Sequence, residues 1–209
     1  MTLQTIIQNA EYFVNQLLDD EVHVVMGIAR KKYNPEIPSA TDYRKVGIWR
    51  EIITKKDYKQ KIAKIYILCK YYEHEIAKPE DYNIYITHNP RSPHKALVTF
   101  KDFLARYDYD PNPNSLIHFN SEWFSNLQGS EGRSRKVSFC LDIDTKDIKT
   151  LNKIRKEFKV LWETPTRNGI HVIIEPQQLD VQRIPGKTLL KGYTNVEVGY
   201  DRLVYVGRI

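Results

Sequence analysis

Asp142 and Asp144 stand two residues apart in Phe139-Cys140-Leu141-Asp142-Ile143-Asp144. The segment reads as a strand, along which side chains alternate between two faces. Phe139, Leu141 and Ile143 then share an apolar face. The two carboxylates share the other face, roughly 6.5 Å apart at about 3.3 Å per residue. Carboxylates held that close repel unless a cation neutralises them. Mg²⁺ and Mn²⁺ accept such oxygens and keep positions open for phosphates. A strand end carrying two solvated aspartates would read the same way.

Two further segments repeat the pattern. Ile170-His171-Val172-Ile173-Ile174 puts Ile170, Val172 and Ile174 on one face and His171 on the other. Thr194-Asn195-Val196-Glu197-Val198-Gly199 points Val196 and Val198 inward and Glu197 outward. If the three segments lie side by side as strands, Asp142, Asp144, His171 and Glu197 share one open face. Asp201 lies close enough in sequence to rival Glu197 as the third acid; the regular alternation around Glu197 favours it.

The elements that must position these residues are legible in coarse form. Helical spacing of apolar residues marks residues 3 to about 18, 56–75, 95–107 and 147–159. Strand patterns mark 22–28, 82–87, 159–163 and 170–175. Residues 46–49 fit a strand or a helix start. Residues 116–130 fit a short helix, and a polar stretch with Pro185 follows the 170–175 strand. Residues 194–199 and 203–206 read as a final hairpin around Tyr200-Asp201-Arg202. Asp108 to Ser115, with two prolines, is the expected lobe boundary.

Basic residues cluster at two places. Arg133, Arg135 and Lys136 lead into the DxD strand. Arg91 and Lys95 fall near the start of the 95–107 helix, where Ser92 can cap and the positive helix end suits a phosphate. Arg91 could instead bridge to a carboxylate. His88 and His94, separated by two prolines, match no zinc spacing and read as solvated or hydrogen-bonded.

The 209 residues carry a formal net charge of +6, with 41% hydrophobic and 28% charged residues. That fits one domain with a real core, and a mild preference for anionic partners. Cys69 and Cys140 are the sole cysteines and form no CxxC, which points to a reduced, cytoplasmic setting. No apolar run approaches 18 residues, and Met1 leads into an amphipathic pattern rather than a secretory signal. No membrane association is expected. The fourteen tyrosines are candidate stacking platforms for single-stranded bases, or packing residues.

The order FCLDID, TPTRNGIH, NVEV resembles the three motifs of the archaeo-eukaryotic primase superfamily, which includes phage and plasmid primase-polymerases. The likeness spans about residues 136–206. Gly169-Ile170-His171 fills the second motif, with Thr166 where many members have serine. Residues 85–92 resemble N-terminal sequence of phage members. The zinc-binding cysteines of cellular primases are missing. The resemblance implies an α+β primase catalytic core. Its N-terminal α/β lobe would span 1–110, and an antiparallel sheet lobe similar to the RNA-recognition fold would span 115–209.

By the same resemblance, Asp142, Asp144 and Glu197 would hold two Mg²⁺ or Mn²⁺ ions. His171, Thr166 and Arg167 would contact the phosphates of an incoming NTP or dNTP. Arg91, Lys95, Arg133, Arg135 and Lys136 would contact nucleic acid. The implied activity is DNA primase or primase-polymerase, a nucleotidyltransferase copying a single-stranded DNA template, with a replicative helicase as an implied partner in phage or plasmid replication. Two other readings are open. One is a binding module that keeps the fold without catalysis and needs none of the acids or the histidine. The other is a metal-dependent nuclease that uses the same acids, weakened because no ExK follows the DxD.

Overall fold

The computed structural model describes residues 1–29, 34–37, 48–71, 77–109, 119–144, 148–166 and 169–209. Two antiparallel sheets are flanked by helices in a mixed α+β arrangement. The strands are β1 (His23–Ala29), β2 (Ile48–Ile53), β3 (Tyr82–Thr87), β4 (Phe139–Ile143), β5 (Val160–Pro165), β6 (Ile170–Ile174), β7 (Val181–Ile184), β8 (Lys187–Leu190), β9 (Val196–Gly199) and β10 (Leu203–Arg208). The helices are α1 (Leu3–Val14), α2 (Tyr58–Tyr71), α3 (Pro93–Tyr109), α4 (Phe119–Gln128) and α5 (Ile148–Glu157). Among the described residues no helix is long and apolar enough to cross a membrane. The expected boundary at 108–115 lies mostly outside the described residues.

The first sheet has the order β10-β3-β1-β2. Both of its faces are covered, which is why β1 and β3 read as apolar runs. Val25 and Ala29 join the core with α1 and α2, through Ile6, Phe13, Ile62 and Ile65. Val24 and Met26 face Ala96 of α3 and Phe124 and Leu127 of α4. The second sheet has the order β5-β6-β4-β9-β8-β7. Phe139, Leu141, Ile143, Val172, Ile174, Val196 and Val198 meet Leu151 and Ile154 of α5 on one face. Cys140 and Ile173, on the other face, belong to the core of the first sheet, where Trp162 stacks on Tyr12 at 6.0 Å. Cys69 and Cys140 are buried free thiols, each pushed up to about 12 by burial.

The C-terminal strands differ from the sequence expectation. β9 and β10 form no hairpin: β9 pairs with β4 and β10 pairs with β3, Leu203 opposite Thr87. Residues 200–202 therefore carry the chain from one sheet to the other. The reason lies in β10 itself, whose Val204 and Val206 complete the core of the first sheet. The stretch around Pro185 is the β7–β8 hairpin, with Gly186 at φ 76°. Proline followed by a glycine of positive φ is the pattern of a type II turn.

Candidate functional site

β4 lies between β6 and β9, so Asp142 is opposite both His171 and Glu197. Directly paired residues of an antiparallel sheet share a face. The three side chains form one row across the second sheet, on the face turned to the first. The expectation of an open face needs correction: His171 is 8% exposed and Glu197 9%. Asp142 is half-buried and Asp144, just past the end of β4, is exposed.

A glycine lets the row close at one end. A Cβ on Gly169 would overlap the Ile143 carbonyl, so only glycine lets the β5–β6 turn seat against the end of β4. In that turn the Gly169 N–H donates to Thr166 Oγ1 at 3.1 Å and the Thr166 N–H donates to the Gly169 carbonyl at 2.8 Å. The Thr166 hydroxyl thus serves the turn. Arg167 lies outside the described residues.

His171 reads out its own tautomer. The backbone N–H of Tyr205 in β10 donates to Nδ1 at 3.2 Å, which leaves the ring proton on Nε2. Nε2 stands 3.4 Å from Asp142 Oδ1. The first sheet thereby orients the histidine that the second sheet carries.

Two cations complete the row, and sequence reasoning did not single them out. Arg202 Nη1 donates to Asp142 Oδ2 at 2.7 Å, and its Nη2 pairs closely with Glu197 Oε2. Lys187 Nζ of β8 pairs with Glu197 Oε1 at 2.5 Å and lies near enough to Asp144 to feel its charge. Burial alone would raise the Glu197 carboxyl, but hydrogen bonds from Lys187 and Arg202 outweigh it and hold the group below its ordinary value. Burial works against the charge of Arg202, yet Glu197 and Asp142 raise its pKa. Gly199 makes the reach possible, because a Cβ there would overlap the Arg202 side chain. The available signal was Gly199 three residues before an arginine, at the end of an acid-bearing strand.

Asp201 goes elsewhere. It pairs with Arg91 at 3.1 Å and closely with Arg133. Arg91, read as a nucleic-acid contact, is instead fully buried, its Nη1 donating to the Gly129 carbonyl at 3.0 Å. It is the carboxylate bridge that the sequence also allowed. Lys95, Arg133, Arg135 and Lys136 do come together, along a groove of about 580 Å³ beside α3. Within it Arg135 is held by Glu21 at 2.8 and 2.9 Å, and Lys136 sits over the rings of Phe139 and Tyr200 at 5.0 and 5.4 Å.

The segment after β3 ties these parts together. Asn89, fully buried, accepts from the N–H groups of Val137 and Ser138 at 2.9 and 3.1 Å and donates to the Tyr200 carbonyl at 3.0 Å. His88 donates from Nδ1 to the Arg202 carbonyl at 2.9 Å, and burial pushes its pKa down to about 4.

As placed, no group of three or more His, Cys, Asp or Glu among the described residues is set to hold a metal ion. The donors are nevertheless of the right kind: Asp142, Asp144 and Glu197 offer hard carboxylate oxygens, which suit Mg²⁺ or Mn²⁺. The Arg202 guanidinium now occupies the position between two of them. The chain matches no protein-family model, no curated protein and no solved structure.

Proposed function

We propose that this protein is a template-directed nucleotidyltransferase of the primase or primase-polymerase kind. The observation that carries the reading is the row Asp142–His171–Glu197 across three neighbouring strands. Motif order and strand adjacency are independent, and both point to one site. The finer fold reading follows: β4, α5, β5, β6 and β9 supply a four-stranded antiparallel sheet with a helix on one face, similar to the RNA-recognition fold.

In this reading Asp142, Asp144 and Glu197 would hold Mg²⁺ or Mn²⁺, which would supply Lewis-acid charge neutralisation for transfer to a 3′-hydroxyl. The chain's own residues do the rest. His171, with its proton on Nε2, donates towards an oxyanion at the row. Tyr205 fixes the ring so that this proton cannot shift to Nδ1. Arg202 and Lys187 neutralise the acids until a cation replaces them, and their positive charge then suits triphosphate oxygens. The burial of His171 and Glu197 limits water around the row and strengthens each of these interactions.

The test uses single-stranded DNA template, labelled NTP or dNTP, and Mg²⁺ or Mn²⁺, with and without primer. Product longer than the input is expected. Shorter product would indicate a nuclease. Binding without synthesis would favour the second reading, a single-stranded nucleic-acid-binding module, and one observation favours it: Arg202 and Lys187 already neutralise the acids.

A further inference from the structure

Two grooves open on either side of the crossover at residues 200–202. The first, of about 580 Å³, is bounded by α3 and the segment leading into β4, with Lys95 and Lys136 on its walls. The second, of about 350 Å³, lies between the crossover and the tip of the β7–β8 hairpin, with Arg183 and Lys187 on the hairpin side. They adjoin through two contacts. Lys136 of the first groove rests over the ring of Tyr200, which lines the second. Arg133 of the first holds Asp201 of the second.

The chemistry along this path is uneven in an informative way. Arg133, Arg135 and Lys187 are each paired with a carboxylate. Lys136 and Arg183 are exposed at opposite ends; among the described residues neither makes a salt bridge, although Lys136 is near enough to Asp201 to act on its charge. The half-buried Tyr200 lies between them, its ring held edge-on by Phe139 at 5.2 Å. Unpaired cations at intervals with an aromatic ring between them suit a polyanion whose bases are free to stack. A duplex hides its base faces and gains nothing from such a ring.

We propose that the two grooves form one track for single-stranded nucleic acid, running from Lys95 and Lys136 over Tyr200 to Arg183. The β7–β8 hairpin is its far bank. The track rests on the reading above for its purpose, the delivery of a template past the row, but its binding chemistry stands without it.

The experiment is fluorescence anisotropy with 5′-labelled oligo(dT) of about 4 and about 16 nucleotides, within the span that one small domain covers. Arg183→Ala should reduce the salt slope for the longer oligonucleotide by about 0.7 and leave the shorter one unchanged, since the first groove alone holds it. Tyr200→Ala should weaken the longer oligonucleotide about five-fold or more, and Tyr200→Phe should restore it. Thermal melting of each variant checks the fold; Arg183 is exposed at the sheet edge, so its variant should melt like the parent. Unchanged binding of the longer oligonucleotide by Arg183→Ala overturns the track, as does failure of the parent protein to bind it. The same samples are assayed for primer extension. Extension by the parent with no effect of Arg183→Ala on binding sinks the track and leaves the polymerase reading. The expected binding pattern with no extension does the reverse.

Discussion

The crossover is flanked by two clusters of arginine and carboxylate that carry the same charges in different settings. Arg91 is fully buried, and its Nε and Nη2 have no hydrogen-bond partner among the described residues. Burial lowers its pKa, and burial raises that of Asp201 despite Arg91 and Arg133 beside it. On the other side, the Arg202 side chain is 30% exposed, and both it and Glu197 are shifted towards their charged forms. The first cluster centres on a guanidinium desolvated at a cost, as a structural pair is. The second is held by mutual attraction within reach of solvent, as the proposed exchange of its arginine for a metal cation requires. Neighbouring residues, Asp201 and Arg202, thus sit in opposite electrostatic settings.

The sharpest break between the clusters is expected in synthesis. Asp142→Ala with Asp144→Ala should abolish primer extension while template binding persists. Asp201→Asn should leave primer extension near that of the parent. Undiminished extension by the double variant would refute the assignment of the row.

Next in size is the buried pair. Arg91→Ala leaves Asp201 without its buried partner and should cost about 3–5 kcal/mol in urea unfolding. Arg91→Met with Asp201→Leu should recover most of that loss, because desolvation is removed with both charges. A double variant no better than the single would mean that the pair stabilises the fold.

Acid reaches the crossover through His88. Its folded-state pKa, about 4, lies below the ordinary 6.5, so the unfolded chain binds a proton first as pH falls. Stability should therefore be flat above about pH 6.5 and fall between 6.5 and 4, by on the order of 3 kcal/mol from this group. His23, pushed down to about 3 by burial, adds a similar slope that continues lower. His88→Gln should remove its own share of the slope, as read from urea midpoints across that range. Glu197 has a lowered pKa, so its contribution is present above the ordinary carboxyl range and lost as pH falls below it. Asp201, raised, has the opposite sign, because protonation relieves its burial.

The smallest effect is the most specific to the exchangeable cluster. Arg202→Met should cost about 1 kcal/mol in stability and tighten Mn²⁺ binding by calorimetry. Gly199→Ala, which keeps the guanidinium but obstructs its path, should shift Mn²⁺ affinity the same way. Weaker Mn²⁺ binding in both would mean that Arg202 supports the cation site.

Much of the row was legible because strand alternation has a period of two. Polar Asp142, His171 and Glu197 interrupt apolar neighbours in the same phase, and adjacency of β6, β4 and β9 then puts them in line. The crossover was not legible. Val204 and Val206 alternate as well in a hairpin as in a sheet switch, and only the pairing of Leu203 with Thr87, distant in sequence, decides it. Arg202 was hidden for the same reason, since its reach depends on where the chain goes next. Arg91 was ambiguous because a buried and a solvated arginine look alike in sequence. The β7–β8 hairpin did have a local mark, Pro185-Gly186 between two short β-prone runs, though its polar flanks masked it.

The hydrogen bonds from His88 to the Arg202 carbonyl give the Arg202 ion pairs a mechanical property. Arg202 is anchored by its backbone to one half of the molecule while its side chain grips acids on the other. Any widening between the halves would draw the guanidinium out by its own main chain and leave the acids unneutralised. Access and unlocking would be one movement.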